Sequence, residues 1–474
     1  MRFIAPRWLL LCFFIPGILN TLTPSSEIEG GVALLNFVSL LASALLFTQL
    51  NKPVQKTLWV WVIWAVFILG YYFKTYIISW NLVDPHAVAI YFPSEWHWIS
   101  FQTLHQGYYV FTWAFVAFCL TSWFVLQTSS TTPGQPCAYA SASLECSLIT
   151  LFIVSFLLLI LFILRLQLNI GVMGFETVHL PLRLDTIIFR LQSGVIPILL
   201  LLVIWILDIP KRRWWWFLAL GLLLFHSLAV SVIAASRAGL INFSLPVFFL
   251  WLTARRLTRK RVLIMSLPVL GTFLVFPLVS AFRAARIMKT DNFVGAMTVA
   301  MQYLDAADWG ESMRATAMHL IIRVIGAEGV WFIQRYAVES LTLGVPSWSI
   351  FQEPLAEYFT YQVLGFTILG DFRSPGLVGA FMLLGGFPGV IILWMVFIFL
   401  VYYMWEKMSI LKSAPVALAT FACFLFSFVG EGTLQVQDWV SCVGAIYVCE
   451  WIYRRALLRL PSRLSMSIRN ELPL

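Results

Sequence analysis

Apolar residues in this chain come in runs of about twenty, separated by short polar segments, with little alternation inside the runs. A helix rises about 1.5 Å per residue, so such a run crosses a hydrocarbon core of roughly 30 Å with its backbone hydrogen bonds satisfied internally. The pattern predicts helices near residues 8–22, 31–49, 57–80, 105–126, 146–166, 187–208, 214–235, 238–253, 262–282, 377–405, 414–430 and 436–453. The expected fold is therefore all-α, a polytopic bundle of about 12 transmembrane helices. The first run follows Arg2 and Arg7 like a signal peptide, but no small-residue cleavage site follows it, so it counts as a retained span.

One stretch departs from this pattern. Between about Arg283 and Ser374, Arg, Asp, Glu and a His recur through moderately amphipathic sequence. This divides the chain into 1–282 with nine spans, a polar loop at 283–376, and 377–474 with three spans and a tail. Inside the loop, Asp308-Trp-Gly-Glu311 has the form of a capping box before Ser312 to Ile325, and a second helix is expected from Gly329 to Leu341. The insert is expected to be a small helical cap. The Ser-, Thr-, Pro- and Ala-rich segment Gln127 to Glu145 is a plain linker.

Composition excludes a water-soluble fold. The chain has 474 residues, 61% hydrophobic and 11% charged, more apolar surface than a soluble core could hide. The net charge of +9 does not mark a nucleic-acid binder, because the basic residues cluster in short segments between spans. These segments are Lys52 and Lys56, Lys211 to Arg213, Arg255 to Arg261, Lys407 and Lys412, and the tail from Arg454. One alternation puts them all on a single face, so both termini are expected to be cytoplasmic and the long insert outside. The seven Cys match neither a zinc site nor a redox pair, and no metal or cofactor is expected. No internal repeat or inverted symmetry is present, which disfavours a repeat-built transporter.

The candidate chemistry is anionic recognition. Arg237 lies in Ser236-Arg237-Ala-Gly239, where one apolar run turns into the next, and can either snorkel to lipid phosphates or grip an anion in an outward cavity. Arg283 and Arg286 are three apart on one expected helix face, suited to a phosphate or pyrophosphate. His319 and Arg323 are four apart, a base beside an anion binder, though a lone His is more often structural. Arg335 with Glu339 fits a helix salt bridge. Glu353, Glu357, and Asp371 beside Arg373 are outside carboxylates able to bind sugar hydroxyls or act as base. Glu431 and Asp438 bring carboxylates to the same face as a cavity wall. No nucleotide-phosphate loop, HExxH or Gly-x-Ser-x-Gly occurs, so an energy source lies in the substrate, in an ion gradient, or nowhere.

The turn Ser236-Arg237-Ala-Gly239, the long outside loop, its run His319-Leu-Ile-Ile-Arg323-Val-Ile-Gly326, and the exit from Arg373-Ser-Pro375 to Gly385-Gly-Phe-Pro-Gly389 carry a resemblance. Over roughly 215–435 the sequence resembles the Wzy-type oligosaccharide repeat-unit polymerases, relatives of the O-antigen ligases. One departure is the apolar Ala380, near where that family commonly has an acidic residue. The resemblance implies a glycosyltransferase-C-like fold in the bacterial inner membrane and a metal-independent, inverting reaction on the periplasmic face. Donor and acceptor would both be undecaprenyl-pyrophosphate-linked oligosaccharides, with a chain-length regulator as a further partner. It assigns Arg237, Arg283 and Arg286 to the donor pyrophosphate, with Arg323 and Arg373 assisting, and His319, Asp371 or Glu357 to acceptor deprotonation. Two alternatives stay open: a metal-dependent glycosyltransferase using Glu27-Ile-Glu29, and a flippase, for which Lys74 is the clearest charge inside a span.

Overall fold

The computed structural model describes residues 7–22, 27–79, 101–128, 144–168, 180–181, 184–208, 212–233, 239–266, 376–431 and 436–457, with isolated positions at 170, 295, 298–299 and 301–302. It is 92% helical and has no strand among these residues, and six helices are long and apolar enough to cross a membrane. The protein is thus a helical membrane protein, as the run lengths require. Three shorter apolar helices accompany the six. The expected helices of the polar insert, and most of the run 262–282, lie outside the described residues.

In chain order the helices are α1 (Leu11–Leu22), α2 (Glu27–Phe47), α3 (Val54–Phe67), α4 (Lys74–Ser79), α5 (Phe101–Thr128), α6 (Leu144–Gln167), α7 (Leu184–Arg190), α8 (Ile196–Leu207), α9 (Arg213–Ile233), α10 (Gly239–Thr253), α11 (Gly376–Ser409), α12 (Ala414–Glu431) and α13 (Val436–Ile452). Widened π-helical turns join α3 to α4 at Ile68–Phe73 and α7 to α8 at Leu191–Val195. Both joined segments are therefore single spans. The described residues fall into two compact units, and the last three helices contribute to both.

In the first unit, α2 packs against α1 and α5. The approach of α2 to α5 is close: a Cβ at Gly31 would meet His105 at 2.8 Å. The core is aromatic, with Phe67 in contact with Phe115 and Trp394 at ring distances of 5.2 and 5.1 Å. A buried polar network crosses it. The Ser39 and Tyr72 hydroxyls pair at 2.7 Å, and the Tyr76 and Tyr108 hydroxyls both donate to the Asn36 side-chain oxygen. Interhelical hydrogen bonds of this kind hold helices together where the surrounding lipid supplies no hydrophobic drive. Trp405 adds a bond from its indole N–H to the Gln55 carbonyl at 2.7 Å.

Helix α11 contains 34 residues, about 51 Å if straight, more than one bilayer core requires. It is broken at Gly385 (φ −149°, ψ 16°) and Gly386 (φ 61°, ψ −159°). The Gly386 conformation is open essentially to glycine alone, and Pro388 removes a further backbone donor just after it. The residues beyond the break still suffice to span. The short segment before it is apolar and packed, with Leu377, Val378 and Ala380 fully buried.

In the second unit, α8 packs on α6 and α9, and α10 packs on α9. The outward side of α6 is lipid-like, with Phe152, Phe156 and Leu159 exposed. At one end, Trp216 stacks on Trp251 with ring centroids 6.0 Å apart. There Asp208 receives Arg256 at 3.2 Å and Arg261 at 2.6 Å. Helix α10 stops at Thr253, and the chain reverses through Arg255 at φ 56°, with the Arg256 N–H returning to the Trp251 carbonyl at 2.8 Å. Glu450 staples the start of α12, accepting the Ser413 N–H at 2.9 Å, the Ser413 hydroxyl at 2.6 Å and the Lys412 N–H at 3.2 Å.

Candidate functional site

Of the residues singled out in the sequence, Arg237, Arg283, Arg286, His319, Arg323, Arg335, Glu339, Glu353, Glu357, Asp371 and Arg373 lie outside the described residues. Glu431 is the last residue of α12, and Asp438 stands in the first turn of α13, half-buried. A carboxylate in a first turn also favours the helix dipole, which is a sufficient structural reason for Asp438. Its neighbour Trp439 packs edge-on against Phe424 and Phe428 at 4.9 and 5.2 Å, fixing this end of α13 in the first unit. Glu29 falls in α2 and Glu27 begins it. Lys74, the first residue of α4, is buried inside a membrane-spanning segment.

A cluster that the sequence reading passed over lies in the second unit. Arg165, in the last turn of α6, is buried to 1% exposure within a span. Its Nε donates to the Ile170 carbonyl at 2.7 Å, and Nη1 donates to the Gln192 side-chain oxygen at 3.2 Å. The guanidinium also sits over the Phe189 ring at 5.0 Å. Gln192 is brought there by the π-helical turn between α7 and α8. His226, on the second half of α9, is buried, and its neighbour Phe225 packs on Phe162 of α6, three residues before Arg165, at 6.2 Å.

This arrangement has unused hydrogen-bonding capacity. The Gln192 side-chain nitrogen and His226 Nδ1 are buried with no hydrogen-bond partner among the described residues. A buried guanidinium in a membrane segment carries a desolvation cost whatever holds it, and such residues face substrate or ion pathways far more often than they serve packing alone. A guanidinium, an amide nitrogen and an imidazole can together neutralise and orient an oxyanion. Arg165 ends α6, Gln192 lies in the first half of the span Leu184–Leu207 and His226 in the second half of α9, so the alternation of these spans brings all three toward one end of the unit.

The signal for this cluster was present but weak. Arg165 falls one residue before the end of the apolar run 146–166, where it looks like a span terminus, and Gln192 and His226 are single polar positions in later runs. Only the alternation of the spans puts all three at one end. Among the described residues no group of three or more His, Cys, Asp or Glu side chains could hold a metal ion. The cysteines Cys12, Cys119, Cys423, Cys442 and Cys449 are free thiols. Comparison with protein families, with curated proteins and with solved structures finds no match to this chain.

Proposed function

We propose that this protein is a repeat-unit polymerase, a glycosyltransferase joining undecaprenyl-pyrophosphate-linked oligosaccharides into a surface polysaccharide such as O-antigen or an exopolysaccharide. The proposal includes about 12 spans in a glycosyltransferase-C-like arrangement, cytoplasmic termini, and a site on the periplasmic face of a bacterial inner membrane. The observation that carries it is the buried Arg165 with Gln192 and His226 in membrane-spanning helices. Transfer from a lipid pyrophosphate requires stabilisation of a leaving anion, and preorganised cations and hydrogen-bond donors supply that without a metal. Arg165 adds to the set that the sequence motif suggests: Arg237, Arg283 and Arg286 on the pyrophosphate, Arg323 and Arg373 assisting, and His319, Asp371 or Glu357 as base. Glu431 and Asp438 would face the acceptor.

The test is incubation of purified protein with a lipid-linked repeat unit in the absence of divalent metal. A ladder of lengthening products supports the reading, and its absence overturns it. Loss of the ladder in Arg237→Ala and Arg286→Ala, with folded protein retained, supports the clamp. A metal requirement would shift the chemistry toward Glu27 and Glu29. A flippase is the second reading, favoured by charges inside spans at Lys74 and Arg165. It predicts that the lipid-linked unit changes leaflet in proteoliposomes without lengthening.

A further inference from the structure

We propose that the Asp208 end of the second unit binds the headgroup of an anionic glycerophospholipid. Three segments meet there. The first turn of α9 touches the last turn of α10 through the stacked Trp216 and Trp251, and the Arg261 guanidinium lies over Trp251 at 5.1 Å. The end of α8 joins them, because the Trp205 carbonyl and Asp208 both accept from Arg256. The Trp205 ring also contacts Tyr453 at 5.7 Å, which brings the start of the Arg454-Arg455 pair to the same rim.

The charges there do not balance. Among the described residues, the acidic side chains Asp208 and Glu450 of this rim are already engaged, the first by Arg256 and Arg261 and the second by Ser413 and Arg454. Arg213, Arg259 and Lys260 are exposed and have no carboxylate partner among the described residues. Basic clusters at the end of a membrane helix attract anionic lipid within a Debye length of the surface.

The surroundings select a lipid among possible anions. Trp214 is 87% exposed beside Arg213, and Phe217 continues that side of α9. Val262, Leu263 and Ile264, immediately after the basic run, are exposed as well. A headgroup phosphate satisfies the cations, acyl chains cover the aliphatic side chains, and the indole of Trp214 sits at the boundary where such rings are enriched. A soluble polyanion would cover only the charges. A zwitterionic lipid brings its own cation to a rim already rich in them.

The experiment uses the full chain in a neutral maltoside detergent and reads its unfolding temperature. Mixed micelles containing phosphatidylglycerol should raise that temperature; phosphatidylcholine micelles and inorganic phosphate at matching concentration should not. The Arg213→Gln, Arg259→Gln, Lys260→Gln triple variant should keep the unsupplemented unfolding temperature, since these side chains have no carboxylate partner among the described residues. It should need at least about tenfold more phosphatidylglycerol for the same shift. Lys260→Glu alone gives the same reading should the triple variant fail to fold. Equal stabilisation by phosphatidylcholine, stabilisation by inorganic phosphate, or an unaltered lipid response in these variants would each overturn the proposal.

Discussion

The two ends of the second unit handle arginine in opposite ways. At one end Arg256 and Arg261 converge on a carboxylate, Asp208, near the surface, with side chains 20% and 22% exposed. At the other, Arg165 is sealed within a span and its guanidinium reaches a carbonyl, an amide oxygen and a ring. The first arrangement fastens a turn, because the bonds tie the α8 end to the segment after α10. The second buries a guanidinium inside a span, where its desolvation is costly, and ties the end of α6 to the π-helical turn between α7 and α8.

That contrast breaks most decisively at Arg165. Arg165→Met should lower product formation at least about 100-fold, equivalent to about 3 kcal/mol of barrier, without lowering the unfolding temperature. A parallel fall in both would make Arg165 structural and erase the difference between the ends. Asp208→Asn should do the reverse. Two guanidiniums lose their carboxylate in a half-screened setting, so unfolding in detergent should show a loss of about 2 kcal/mol with unchanged activity per folded molecule.

Smaller effects sharpen the comparison. His226→Leu should reduce product formation about tenfold, about 1.4 kcal/mol, as one of several groups facing the anion. Arg261→Gln leaves Arg256 on Asp208 and should cost under about 1 kcal/mol. Most of that cost should vanish when unfolding is measured in about 0.5 M salt, whereas the Arg165→Met effect on activity should not.

Run length was enough to read the helices, because a membrane span is specified mainly by continuous apolarity. It was not enough to read their interruptions. The run 187–208 is one apolar stretch in sequence, yet it carries a π-helical turn that aims Gln192 at Arg165, and hydropathy has no term for a widened turn. Gly385 and Gly386 stood out as a motif, while the break that they make in α11 depends on backbone angles that the letters only permit. Arg256 and Arg261 stood out in sequence as part of a basic cluster, but their partner Asp208 lies far back in the chain, and periodicity does not reach that distance. In the candidate site, Glu431 and Asp438 occur at helix ends, as the spans required.

The break in α11 has a mechanical consequence. An unbroken helix transmits rotation about its axis like a rod, so turning one end turns the other. Two consecutive residues with non-helical angles interrupt that rod. Beyond the break, Trp394 is packed on Phe67 and Trp405 is bonded to the Gln55 carbonyl, so that length is clamped. The short segment from Gly376 lies against that same span, with Phe381 on Trp394 and Phe397 at ring distances of 5.8 and 6.2 Å, so side-chain packing rather than backbone torsion couples the two lengths.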